Sequence, residues 1–215
     1  NGNEEIVAQL ISAGAELEHS NYMGQNALHL AAIQGQVDIV KRLLAANLSP
    51  IKPDQFGLTA LHRAAENGHA DVVRTFLKTK TVDPNINVLD AHGDGGTPWF
   101  LAAKRGHISV LEVLLEASAD HDAVELLNGT TALQVASAEG QESTVRWLLE
   151  KNLSKIDETD FLGNTALHYA FQKNQELVVE ELMRWGANPR KANNEGKIPA
   201  EIAQKLSNET TLNIR

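Results

Sequence analysis

The chain has 215 residues, of which 42% are hydrophobic, 22% charged and only 5% aromatic, so its core must come mostly from Leu, Val, Ile and Ala. The net charge of −9 disfavours nonspecific binding to nucleic acid or to an acidic membrane surface. With no cysteine, disulfides, thiolate metal sites and a cysteine nucleophile are excluded, and no apolar run approaches the roughly 20 residues that span a bilayer.

In chain order, the first segment with helical character is "EEIVAQLISAGAELEHS", about residues 4–20. It matches only the second half of a unit that recurs from Gly24 onward. From Gly24 the chain reads "GQNALHLAAIQGQVDIVKRLL", from Gly57 "GLTALHRAAENGHADVVRTFL", and from Gly95 "GGTPWFLAAKRGHISVLEVLL". Two more copies start at Gly129 and Gly163, and a partial one, "GKIPAEIAQKL", starts at Gly196. The glycines are 33, 38, 34, 34 and 33 residues apart, which is the signature of a stacked repeat. The repeats run approximately 4–20 (partial), 21–53, 54–91, 92–125, 126–159, 160–192 and 193–206 (a partial cap), with a tail at 207–215. All are read as one domain over 1–215.

Each copy follows one local grammar. A Gly closes a turn, and two residues later Asn26, Thr59, Thr97, Thr131 or Thr165 can cap a helix N-terminus. A short Ala-rich helix comes next, with Pro98 and Pro199 suited to its first turn. Gly35, Gly68, Gly106 and Gly140 stop that helix. The second helix carries an i, i+3, i+4 apolar stripe such as Ile39, Val40, Leu43 and Leu44. No repeat can bury its stripe alone, whereas stacking makes one core at about 1.5–3 kcal/mol per buried Leu, Ile or Val.

"GLTALHRAAENGHADVVRTFL" and its copies resemble the ankyrin-repeat family, over about residues 4–205. The resemblance implies an all-α fold, a solenoid of helix-turn-helix pairs with β-hairpin-like loops. It further implies a concave face made by loop tips and first helices, and protein binding rather than catalysis. A protein or peptide partner is expected, with no nucleic acid, no membrane insertion and no cofactor. A monomeric, cytoplasmic or nuclear piece of a larger protein is expected as well.

The stretch "HGDGGTP" raises the question of a phosphate loop. That would need a buried strand before it and Gly-Lys-Ser/Thr at the helix start, and neither is present. Gly95 and Thr97 are instead the turn and cap of their repeat. His92 and Asp94 lack a third ligand nearby for a metal. His29, His62 and His168 recur in A-L-H, and His69 and His107 recur in G-H. Recurrence with the period assigns them to holding loops together rather than to acid–base work.

Mapping the resemblance onto the chain puts Tyr22, Met23, Phe56, Leu127, Phe161 and Leu162 at loop tips, with Gly93 and Asp94 at the tip between. Two readings stand for Phe56, Phe161 and Leu127: exposed anchors for a partner, or a minor core leaning on neighbouring loops. Ile33, Glu66, Asn67, Lys104, Arg105 and Glu139 fall at the ends of the first helices. For Lys104 and Arg105, ion pairs to Glu66 and Glu139 of adjacent repeats are preferred over a charged reader. Departures from the grammar mark the middle. Extra residues lie around Val82 and 87–91, and Trp99–Phe100 replace Leu-His, losing a loop hydrogen bond, with rings large enough to fill space under the lengthened loop instead. Gln134 likewise replaces its His, so the central repeats read as less regular. Trp99 is counted among the partner-facing candidates.

Overall fold

The computed structural model describes residues 3–79, 81–86 and 96–202. Among them are eleven α-helices, a further helical stretch at 199–202 and no β-strand. The chain divides into two compact units. Unit 1 holds residues up to Ala102 together with Ser109–Asp120, and unit 2 holds Ala103–Ile108 together with the residues from His121 onward.

Unit 1 contains α1 (Glu4–Ser12), α2 (Ala27–Ile33), α3 (Val37–Ala45), α4 (Ala60–Glu66) and α5 (Ala70–Leu77). It also takes most of α6 (Pro98–Arg105) and of α7 (Ile108–Glu116). First helices pack on first helices, α2 on α4, and second helices on second helices, α3 on α5, with α1 on α3. Unit 2 repeats the plan with α8 (Ala132–Ala138), α9 (Glu142–Glu150), α10 (Ala166–Gln172) and α11 (Glu176–Arg184), where α8 packs on α10 and α9 on α11.

The second helices form their stripes as the pattern requires. Ile39, Val40 and Leu43 are buried, as are Val72, Val73 and Phe76, and Val178 and Leu182. In α1 the corresponding Ile6 and Leu10 are each 52% exposed, against 8% for Ile39 and 2% for Leu43.

The first helices are fixed at both ends. At the N-terminus, Thr59 N–H donates to His62 Nδ1 at 3.2 Å, and His62 Nε2 reaches the Ile86 carbonyl at 3.0 Å. His29 does the same between Asn26 and the Leu58 carbonyl (3.4 and 3.2 Å), and His168 between Thr165 and the Lys197 carbonyl (3.0 and 3.1 Å). One imidazole thus completes its own cap and ties down the next loop. A neutral Nε2–H tautomer satisfies both bonds.

Gln134 corrects the expectation of irregularity at its repeat. Its Oε1 accepts from Thr131 N–H at 2.7 Å and its Nε2 donates to the carbonyls of Glu158 and Asn164, both at 2.9 Å. A primary amide has an acceptor and donors at nearly the spacing of an imidazole, so nothing is lost. Phe100, by contrast, cannot make these bonds and is buried. Its ring lies against Gly96, 2.8 Å from where a Cβ on that residue would sit.

At the other end, His69 Nε2 meets the Ile33 carbonyl at 2.9 Å. Gln141 Nε2 donates to the Lys104 carbonyl at 3.3 Å, and Gln175 Nε2 to the Ala138 carbonyl at 3.1 Å. Each side chain satisfies a helix-end carbonyl of the preceding repeat. The approach is close: a Cβ on Gly35 would lie 2.5 Å from the His69 ring, and Gly35 also holds φ at +69°. Glycine is required there on both counts.

Candidate functional site: the loop tips and first-helix ends

Each tip is built on one side chain that the period repeats. Asn21 Oδ1 accepts from the N–H groups of Met23 and Gln25, both at 3.0 Å. Asp54 Oδ1 accepts from Phe56 and Leu58 at 2.9 and 3.0 Å, and Asp160 Oδ1 from Leu162 and Asn164 at 2.9 and 2.7 Å. Asn193 repeats the pattern on Glu195 and Lys197. In the remaining described tip, buried Glu125 uses both carboxylate oxygens, on Leu127 N–H and Asn128 N–H. These are Asx-type turns, which pull the backbone round and hold the tip rigid. Sequence reasoning missed them. Their signal was the recurrence of Asn or Asp three places before the turn glycine, at 21, 54, 160 and 193.

Main-chain bonds then stack tip on tip. Gln55 N–H donates to the Met23 carbonyl at 3.0 Å in unit 1. In unit 2, Phe161 N–H donates to the Asn128 carbonyl at 2.9 Å and Asn194 N–H to the Leu162 carbonyl at 3.0 Å. This is the hairpin-like character expected of the loops, made of single bonds rather than strands.

Among the tip candidates, Tyr22 is 91% exposed, Phe161 64%, Leu127 59% and Leu162 58%. Met23 and Phe56 are half-buried. Phe161 combines both readings, since its ring lies on the neighbouring tip, 2.5 Å from where a Gly129 Cβ would stand, and still faces solvent. Phe56 lies under the Arg63 guanidinium, 5.4 Å from the ring centroid, a cation–π contact.

That arginine links tip to helix. Arg63 Nε and Nη2 donate to Asp54 Oδ2 at 2.9 and 2.6 Å, and Nη1 donates to Glu66 Oε2 at 2.9 Å. The Asp54 side chain is fully buried and Arg63's nearly so. In unit 2, Tyr169 stands at the register of Arg63, and its hydroxyl donates to Asp160 Oδ2 at 2.6 Å. Burial, then the bond to Asp160, pushes the Tyr169 hydroxyl up to about 12, so it stays a neutral donor.

At the first-helix ends, Asn67, Arg105 and Glu139 are exposed, and Ile33, Glu66 and Lys104 are half-buried. Lys104 and Glu139 form no ion pair among the described residues, which corrects the expectation of pairs between adjacent repeats at those two positions. Glu66 accepts from Arg63, one turn away on its own helix. Trp99 is also corrected. At 0% exposure it is interior and unavailable to a partner, because the bulky pair that replaced Leu-His went inward as core. Gly93, Asp94, Gly95 and His92 lie outside the described residues.

Elsewhere the titratable groups serve structure. Burial holds His62 down to about 4, and lowers His29 and His168 as well. Buried Glu181 accepts from Arg146 Nε at 2.9 Å and Trp185 Nε1 at 3.1 Å, which lowers its carboxyl. An open cleft of about 930 Å³ in unit 2, lined by residues including His121, Ser154, Asp157, Trp185 and Lys191, gathers no metal-ligating set among the described residues. No described helix is long and apolar enough to cross a membrane.

Comparison with known proteins agrees with this architecture. The family described as "Ankyrin repeats (3 copies)" matches residues 1–90, 82–160 and 99–193. The chain is 30% identical over 118 residues to a Transient receptor potential cation channel subfamily A member 1 homolog of Caenorhabditis elegans, covering 55% of this chain and 10% of that protein. It is 40% identical over 70 residues to Ankyrin repeat and SAM domain-containing protein 6 of Mus musculus, covering 32% of this chain and 8% of that protein. It therefore spans only about a tenth of the length of these relatives. Among solved structures, the ankyrin repeat domain of Bcl-3 superposes with a TM-score of 0.72 at 28% identity, covering 95% of this chain and 91% of that one. Ankyrin repeats are protein-interaction modules, and with the family description matching most of its length, this chain belongs to the ankyrin-repeat family.

Proposed function

We propose that the chain acts as one repeat domain that binds a protein or peptide through its loop tips and the ends of its first helices, without catalysis of its own. The observation that carries this is the set of exposed apolar tip residues held on rigid turns. Tyr22, Leu127, Phe161 and Leu162 project from backbone that side-chain caps and tip-to-tip bonds have already ordered. Preorganised apolar anchors lose little entropy on binding, which favours their use as hot spots. The net charge of −9 supports a protein partner over nucleic acid, and a cytoplasmic or nuclear setting fits a chain without cysteine. Alanine replacement of Tyr22, Met23, Phe56 and Phe161 tests the reading in a partner pull-down. Loss of recovery with an unchanged circular-dichroism spectrum is expected; full recovery refutes the anchors.

A second reading rests on the similarity to a cation-channel relative together with the small share of that protein covered. In it, the module regulates or targets a larger enzyme or channel of which it is one part. The full-length reading frame around this sequence decides between a free-standing module and that arrangement.

A further inference from the structure

We propose that unit 2 presents a cationic surface with apolar tips that takes an acidic segment carrying interspersed large apolar side chains. The inference rests on the interaction-module reading and specifies the partner's chemistry for one unit.

Three observations converge. First, Leu126, Leu127, Phe161 and Leu162 are all more than half exposed or at that limit, on neighbouring tips joined by the bond from Phe161 N–H to the Asn128 carbonyl. Second, the carboxylates nearest these tips are withdrawn from the surface. Glu125 and Asp160 are buried, and their oxygens are occupied by turn N–H groups and the Tyr169 hydroxyl. The two tips therefore display apolar groups with their own carboxylates turned inward, and the exposed Glu195 of the next tip is paired with Lys197. Third, the helix face that continues from the tips is basic. Tyr169 bonds to the base of its tip, and Lys173 lies four residues beyond it, on the same face one turn on. Lys104 and Arg105 occupy the last turn of α6, and Glu139 is the C-cap of α8 as Lys173 is of α10.

Of these helix-end residues Lys104, Arg105 and Lys173 are cationic and Glu139 is anionic, with Arg105 already engaged in an interaction of its own, on a chain whose net charge is −9. Lys104 and Lys173 form no ion pair among the described residues, so their charge is available to a ligand. A basic or neutral apolar segment would satisfy the tips but leave both ammonium groups unmatched. An acidic one satisfies both features, with the charges setting orientation and on-rate. The competing role for these lysines is to complement the dipole of their own helices, which stabilises the fold regardless of the ligand's sign.

The test uses the whole chain and fluorescence anisotropy. The first probe is a labelled peptide in which Glu and Asp alternate with Leu and Phe. The second carries Lys at the acidic positions, and the third keeps the acids but replaces Leu and Phe by Ser. The first is expected to bind, less tightly as salt rises, and the other two at least about tenfold more weakly. K104E combined with K173E is expected to weaken the first probe about tenfold or more, while L127S combined with L162S weakens it without changing its salt dependence. Thermal melts of each variant separate a loss of binding from a loss of fold, and E139K, which removes the lone acid, is expected to tighten binding. Equal or tighter binding of the Lys peptide, failure of the first probe to bind, or indifference to K104E/K173E in a folded variant overturns the proposal. If a partner needs the tip residues but ignores K104E/K173E, the acidic assignment falls and the interaction module stands.

Discussion

The two units solve one problem with different chemistry. Each must bury an aspartate that holds a tip together, Asp54 in unit 1 and Asp160 in unit 2. Unit 1 neutralises it with Arg63, which also grips Glu66 and covers Phe56. Unit 2 leaves Asp160 without a cation and gives it the Tyr169 hydroxyl instead. A carboxylate with two turn N–H groups and one phenol is sufficiently solvated by the protein to remain in place, so a guanidinium is not obligatory at this register. What the ionic version adds is a second anchor along the helix. What the neutral version leaves is a helix face free to carry uncommitted charge.

The sharpest way to break this comparison is to remove each partner in turn. Arg63→Ala strands a fully buried carboxylate and is expected to cost about 3–5 kcal/mol in urea unfolding, concentrated in unit 1 when read by amide hydrogen exchange. A loss below about 1 kcal/mol would show that the turn N–H groups alone suffice for Asp54.

Acid separates the units next. His62 titrates near 4 in the folded chain against an ordinary value of 6.5, so the unfolded chain binds the proton first. Its contribution is present in full above about pH 6.5 and is lost as pH falls toward 4, a change of about 3 kcal/mol by linkage. His29 adds to this in unit 1, whereas unit 2 has one such histidine, His168, and the non-titrating Gln134. Hydrogen exchange monitored from pH 7 downward is therefore expected to show unit 1 loosening first, and His62→Gln should remove much of that difference while nearly preserving stability at neutral pH.

A smaller effect is expected from Tyr169→Phe, about 1–2 kcal/mol in unit 2, because Asp160 keeps its two turn bonds. If it matches the cost of Arg63→Ala, the neutral and ionic devices are equivalent and the contrast between the units fails. The smallest is Gln134→His, expected within about 1 kcal/mol of the parent at pH 8, but with an added loss on acidification that a pH-resolved thermal melt would detect.

How far the sequence foretold this architecture depended on the range of the interaction. The helices were legible because their caps, stripes and stop glycines lie within a few residues and recur with the period. Asn26, Thr59, Thr131 and Thr165 cap where expected. The histidines' role as ties between loops was legible for the same reason. Gln134 was misread because comparison of letters registers a changed residue, not a conserved pair of bonds. The link from Asp54 to Arg63 spans nine residues of turn and helix, and nothing in the local pattern marks it. Trp99 carried two readings because an aromatic departure from a repeat has two destinations, inward under the longer loop or outward to a partner, and only the packing decides for the first. Lys104 was expected to pair because an acid stood in the next repeat, but Lys104 is half-buried, Glu139 is exposed, and the two form no ion pair among the described residues.

The side chains that reach back to a preceding helix also set an order in time. Ile33 waits for His69, Lys104 for Gln141, and Ala138 for Gln175, separations of 36, 37 and 37 residues. On a ribosome the chain emerges from its N-terminus, so each first helix is finished only after roughly one further repeat has left the exit tunnel. Synthesis then proceeds as a zipper with a constant lag, and every stalled length carries one unfinished helix end at its growing edge. Nascent chains arrested before and after His69 should accordingly differ in protection at the end of α2, with the step moving one repeat downstream for each later pair.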